Sequence, residues 1–486
     1  MKTVRCTCLA ILTVISFWAA VSAHAENGAL PPDKKPVTAV TETPARQLIV
    51  RTFPLNTYAR EYDGQWQGIA VASDGNCYFG ASSHSDRQGG GFFRYDLRTK
   101  ELVMIAKDLS RLCGEDPPAT VPQGKIHSPI VEANGWLYFA THLGMYNDDG
   151  KSQFTGSRVL AYELATGKFR DYGVLRPGYS IYSAIAVDAG RQLLYAVVMP
   201  LKREDVMKDG THIYRLDLRN GSKRDLGVVR PSGTESNFCL WMFVDAAGDC
   251  WFTMKNENGS LFRVRAEADR IERWGEALPK GQFGLNRKWV PWPDERNWTW
   301  AQALPDHRCL FAMGAYHYNR ETATNGFHGD EYLWRFDPTQ NIESGAAMKE
   351  LGYIGPNFLG LALGGDRVYV IQPALGLGAN PDLTMPPATY SRLIGAVPKY
   401  SLRSVQLQGD RISAIVDHGQ IVDQDGRVPI KVEAIAADDE RVYMVGQFNV
   451  RPGEIGCGRY MEGSKSYQDA SYGLFFAVAD MTVQGK

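Results

Sequence analysis

The sequence has no surplus of charge of either sign. Lys and Arg total 53 and Asp and Glu 54 over 486 residues, a net charge of −1. No basic excess is present to drive binding to a nucleic-acid backbone or an anionic bilayer. After the first 25 residues there is no apolar run long enough to span a membrane. No C-x-x-C or Cys/His ligand spacing occurs, which excludes a zinc ribbon. There is no G-x-S-x-G nucleophile elbow, no P-loop, and no G-x-G-x-x-G following a strand. The serine-hydrolase elbow, the nucleotide cradle and the dinucleotide fingerprint are thereby set aside.

What the sequence has is aromatic rings and turns. Aromatics are 11%, with 23 Tyr, 20 Phe and 11 Trp, beside 49 Gly and 25 Pro. Hydrophobic residues at 44% and charged residues at 22% describe a globular chain rather than a disordered or polytopic one. Residues 1–25 read as an export signal: Lys2 and Arg5, then LAILTVISFWAAVSA, then Ala23-His24-Ala25 before Glu26. Its loss leaves 51 basic against 54 acidic residues and six cysteines: Cys77, Cys113, Cys239, Cys250, Cys309 and Cys457. The expected location is exported, periplasmic or secreted. Residues 26–44 are Pro-rich and polar and read as a linker.

One pattern recurs through residues 45–486: a small-residue strand, a Gly/Asp turn, and a second strand opening on an aromatic. The copies are GIAVASDGNCYFGAS, SPIVEANGWLYFATH, SAIAVDAGRQLLYAVVM, WMFVDAAGDCWFTMK, AQALPDHRCLFAMGA, LGLALGGDRVYVIQP and EAIAADDERVYMVGQ. Their aromatics are Tyr78, Tyr138, Tyr195, Trp251, Phe311, Tyr369 and Tyr443, at spacings of 60, 57, 56, 60, 58 and 74. A third strand follows each pair and a fourth most of those. Four antiparallel strands repeated seven times predict an all-β, seven-bladed propeller. The segment ARQLIVRTF at 45–53 is expected to close the ring against the last blade. Cys77, Cys250 and Cys309 fall at interior sheet positions and are expected to be reduced. Cys239 and Cys250 are the pair that a hairpin could bridge.

In a propeller, the start of a first strand and the end of a second share one mouth. First-strand starts here carry Gln67, His127, Tyr182 and Trp300. Second-strand ends carry His84, His142, Lys255 and His317, with Lys202 and Arg203 after the third. Four of the nine histidines gather at this mouth. His84 and His317 also suit plain loop hydrogen bonding, and the tryptophans of KWVPWPDERNWTW suit core or sugar stacking alike. A His pair could ligate a metal, but spacing offers no third ligand. A structural metal is therefore left unassigned, and no cofactor is required.

Histidine, tyrosine and a cation suit β-elimination from a uronic acid. That reaction removes the C5 proton beside a carboxylate and expels the O4 substituent. KIHSPIVEANGWLYFATH, with Tyr182 opening the next repeat, resembles the seven-bladed propeller polysaccharide lyases of the ulvan lyase and rhamnose–glucuronate lyase type. The resemblance implies that His127 and His142 are catalytic or neutralise the substrate carboxylate and that Tyr182 is the acid/base, with Arg203 as a substrate cation. Lys255, Trp300, His317, His84 and Gln67 complete the expected substrate-binding set. The expected function is a secreted, monomeric lyase on a uronate-containing glycan, with no nucleic-acid partner. A non-catalytic glycan- or protein-binding propeller and a propeller oxidoreductase or lactonase are the alternatives.

Overall fold

The computed structural model describes residues 46–145, 148–230, 239–254, 259–275, 277–278, 289–291, 300–314, 317–319, 324–326, 330–356, 360–375, 398–460, 467–469 and 471–482. The expected export signal and linker lie outside this set. The fold is all-β and built as a propeller. The repeated aromatics occupy equivalent places: Tyr78, Tyr138, Tyr195, Trp251, Phe311, Tyr369 and Tyr443 pair across the inner hairpins with Ala70, Val131, Ala186, Phe243, Ala301, Ala362 and Ala436. Each ring is buried, while its mostly small partner faces a central cavity of about 370 Å³. The division of labour is steric. Small residues leave the axis open, and large rings one strand out fill the wedge between neighbouring sheets.

The Gly/Asp turns do more than reverse the chain. Asp74, Asp245 and Asp438 accept hydrogen bonds from Tyr78 Oη, Trp251 Nε1 and Tyr443 Oη at 2.8, 2.7 and 2.6 Å. Thus the turn carboxylate satisfies the polar tip of a ring whose body is buried. Gly75, Gly135 and Gly248 take the left-handed turn position, with φ of 80°, 77° and 83°.

Among the described residues, discrete blades number five rather than the predicted seven. These sheets of four or five strands run from Tyr62–Gly64 to Glu101–Ala106, Gln123–Ile126 to Phe169–Val174, Tyr179–Ser180 to Lys223–Arg230, Met242–Val244 to Arg270–Trp274, and Trp300–Ala303 to Met348–Pro356. The last two repeats share one eight-stranded sheet. The joint is the strand Gln47–Pro54, which changes partner halfway. Gln47 to Val50 run parallel to Gln420 to Asp423, and Arg51 to Pro54 run antiparallel to Val478 to Phe475. It pairs with the C-terminal strand as the sequence suggested, but it also stitches that unit to its neighbour. Buried contact then passes from the last repeat to the first, where Phe476 stacks on Phe79 at 4.4 Å and 2°.

All six cysteines beyond residue 25 are free. Cys77, Cys239, Cys250, Cys309 and Cys457 are buried, and the Cys239–Cys250 bridge does not form. Burial raises the thiols of Cys77, Cys239, Cys250 and Cys309 well above the ordinary range, which makes them poor nucleophiles. Thiol titration of the denatured, unreduced chain without residues 1–25 should therefore find six reactive groups. A count of zero would contradict the structure.

Candidate functional site

The first strand is broken in three adjacent repeats. Tyr62–Gly64 and Ile69–Val71 both pair with Cys77–Ser83, Gln123–Ile126 and Val131–Ala133 with Trp136–Leu143, and Tyr179–Ser180 and Ile185–Asp188 with Leu193–Pro200. Four residues leave the ladder each time: 65–68, 127–130 and 181–184. Gln67, His127 and Tyr182 therefore lie within interruptions of strands that begin earlier, and not at strand starts as expected. Pro129 brings no N–H to the ladder, and Ser128 Oγ takes the Ala140 N–H at 2.8 Å in place of a carbonyl.

The breaks align by register. Four positions before Ala70, Val131 and Ala186, the partners of the three repeat aromatics, stand Trp66, His127 and Tyr182. Their rings meet. Trp66 stacks on His127 at 5.0 Å and 9°, and the His127 and Tyr182 centroids are 4.4 Å apart. His142, in the second strand opposite Lys125, stands edge-on to both, 5.7 Å from His127 and 5.2 Å from Tyr182. Thus His127, His142 and Tyr182 converge at the end of the cavity lined by Trp66 and Gln67. His127 and His142 are 5% and 0% exposed, whereas Trp66 and Tyr182 are half-buried and form the accessible side of the cluster.

Gly124 lets the chain carrying Lys125 and His127 approach the first repeat, since a Cβ there would run into Gly144 Cα and the Ser83 carbonyl. Lys125, almost wholly buried, holds its ammonium 4.6 Å from the Trp66 ring centroid. Lys431, half-buried, comes in from the last repeat to 5.9 Å. Such cation–π contacts are worth about 0.5–2 kcal/mol each. Burial, and then the Lys125 charge, pushes His127 down to about 3, with His84 and Lys431 adding to the effect. The same order of causes, burial then Lys125, His127 and His84, holds His142 well below its ordinary value. Both imidazoles are neutral near pH 7. Burial raises the Tyr182 phenol, which keeps it protonated. The backbone beside the His127 ring favours its charged form, an effect outweighed by burial. His127 Nδ1 also lies 3.3 Å from Ser183 Oγ, a contact in which the ring donates or accepts according to its tautomer.

The remaining expected residues divide. His84 Nδ1 is 2.8 Å from the Asp63 carboxylate and its ring is edge-on to Trp66 at 5.6 Å, so it borders the cluster. Gln67 is 8% exposed and lines the cavity, with Oε1 buried and without a hydrogen-bond partner among the described residues. Trp300 also lines the cavity but packs against Trp241, 5.7 Å away. Lys255 lies outside the described residues, as do the side chains of Arg203, at the start of the helix Arg203–Lys208, and of His317 in the strand His317–Asn319. Sequence reasoning missed Trp66, Lys125, Lys431, Ser157 and Ser180. Lys125 had a legible signal, since KIH places it two residues from His127. Among the described residues no group of three His, Cys, Asp or Glu is placed to hold a metal ion.

No family model matches the chain, and no curated protein matches it. Solved structures similar to it include an oligogalacturonate lyase in complex with manganese, at 10% identity and a TM-score of 0.47, over 90% of this chain and 98% of that one. An oligogalacturonate lyase from Vibrio parahaemolyticus is 9% identical with a TM-score of 0.44, over 89% and 97%. A GH74 enzyme from Niastella koreensis is 10% identical with a TM-score of 0.45, over 84% and 54%.

Proposed function

We propose that the chain is an exported polysaccharide lyase that cleaves a uronate-containing glycan by β-elimination. One observation carries this reading: the aligned strand breaks gather a neutral His127, a protonated Tyr182 and a neutral His142 beside two ammonium groups. Elimination needs a base, an acid and positive charge near a carboxylate, and the cluster supplies all three. Lys431, the more exposed ammonium, receives the uronate carboxylate, and Lys125 beneath it deepens the positive field. His127 takes the C5 proton. The electron pair forms the C4=C5 bond as the C4–O4 bond breaks, and Tyr182 delivers its proton to the leaving oxygen. Trp66 offers an aromatic edge to a sugar ring. The eight-stranded sheet serves as two blade equivalents, which makes a ring of seven positions around the cavity.

Incubation with a panel of uronate polymers tests the reading through the ultraviolet absorbance of the new C4=C5 double bond. Absorbance should rise with at least one polymer. If the chain binds uronate glycans but no polymer gives unsaturated ends, the protein is a binding module and the lyase reading fails.

A further inference from the structure

His142 is fully buried, yet it touches both His127 and Tyr182. Its Nδ1 hydrogen-bonds Ser180 Oγ. Ser180 Oγ lies 3.2 Å from Ser157 Oγ, and Ser157 Oγ accepts the backbone N–H of Ile181 at 2.9 Å. Ser157 and Ser180 are 2% and 0% exposed, so each hydroxyl proton must find its acceptor inside this chain.

Two directions can be drawn. In one, His142 Nδ1–H donates to Ser180, Ser180 donates to Ser157, and Ser157 then accepts twice. Its own proton is left in a buried site with no acceptor among the described residues, which costs about 1–3 kcal/mol. In the other, Ile181 N–H donates to Ser157, Ser157 to Ser180 and Ser180 to His142 Nδ1. Both hydroxyl protons and the amide proton are placed, and each bond polarises the next. The fixed backbone N–H thus sets the sense of the whole line. A neutral imidazole carries one N–H and one bare nitrogen, so a bare Nδ1 puts the proton on Nε2.

We propose that Ser180, oriented by Ser157 and the Ile181 amide, is a positioning residue that locks His142 in its Nε2–H form. His142 is then a hydrogen-bond donor within the aromatic cluster and not a base. Its task in the elimination is to stabilise the phenolate that Tyr182 becomes on giving up its proton. This last role rests on the lyase reading, whereas the tautomer does not.

The test is nitrogen-15 NMR of the full chain labelled at histidine, with the His142 signals assigned by loss in His142→Asn. The wild type should show Nδ1 with the shift of a bare ring nitrogen and Nε2 with that of a protonated one. Ser180→Ala should move both toward the tautomer average, Ser157→Ala should do so in part, and Ser180→Thr should restore the wild-type pattern. On a substrate that the wild type cleaves, Ser180→Ala should lower kcat roughly tenfold with little change in KM. A proton on Nδ1 in the wild type overturns the proposal, as does an unchanged pattern in Ser180→Ala. The expected spectra from a chain that cleaves no uronate polymer would refute the lyase reading and leave the tautomer standing. Elimination activity with the reverse tautomer would do the opposite.

Discussion

Tyr182→Phe is expected to lower kcat by roughly 10²-fold or more while leaving KM nearly unchanged. The phenol lies in the break after Tyr179–Ser180, within 4.4 Å of His127 and 5.2 Å of His142, centroid to centroid. Burial keeps it protonated, the state that an acid delivering a proton to the leaving oxygen requires. Phenylalanine preserves the ring contacts, so the variant should fold as the parent does and lose only the proton. Steady-state kinetics on the polymer that passes the absorbance test would decide it. Wild-type turnover in Tyr182→Phe would remove tyrosine from the mechanism.

Mild acid should destabilise the fold sharply. His127 is depressed to about 3, chiefly by burial and then by Lys125, His84 and Lys431. His142 is depressed well below its ordinary value by burial, Lys125, His127 and His84. His418 is lowered to about 4 by burial, Arg367 and Arg46, against the pull of Asp417. In each case the unfolded ring takes up a proton near pH 6.5, while the folded ring resists. The unfolded chain therefore binds more protons below that pH, and stability falls as pH falls. For His127 alone the loss between pH 6.5 and 4 is roughly 3 kcal/mol, at about 1.4 kcal/mol for each pH unit. Denaturant midpoints measured from pH 7 to 4 should decline steeply, and a His127→Gln variant should show a shallower slope. Midpoints that hold constant down to pH 4 would refute the buried, neutral state of these rings.

The repeat was legible because its physics is local. A small residue facing the axis, a turn that needs Gly or Asp, and a ring that fills the wedge recur within about fifteen residues. That pattern located all seven aromatics. The convergence of His127, His142 and Tyr182 was also readable, from the rule that strand one and strand two share a rim. Trp66 was not, because the hairpins differ in length. Tyr78, Tyr138 and Tyr195 lie eight, seven and nine residues beyond their partners Ala70, Val131 and Ala186. Counting back from the aromatic therefore misaligns the breaks, and Gln67 was chosen where Trp66 is the register equivalent. Lys431 and Ser157 were hidden for another reason. They reach the cluster from neighbouring strands and repeats, and no periodicity within one repeat announces such a visit. The count of discrete blades failed on the strand Gln47–Pro54, whose alternating pattern shows that it pairs but not that it pairs on both sides.

That strand makes completion of the ring a late event. Arg51 is paired with Val478, a separation of 427 residues, and Gln47 with Gln420. Until both distant strands exist, the first segment of the domain has no partner, and the outer edges it will cover stay bare. A chain made or threaded from its N-terminus must carry this segment unpaired through nearly its whole length. Closure of so large a loop is slow, and exposed strand edges in the interval invite pairing between copies. Trimming either end would leave the same edges open permanently, so short truncations at residues 47–54 or 472–480 carry an aggregation hazard out of proportion to their size.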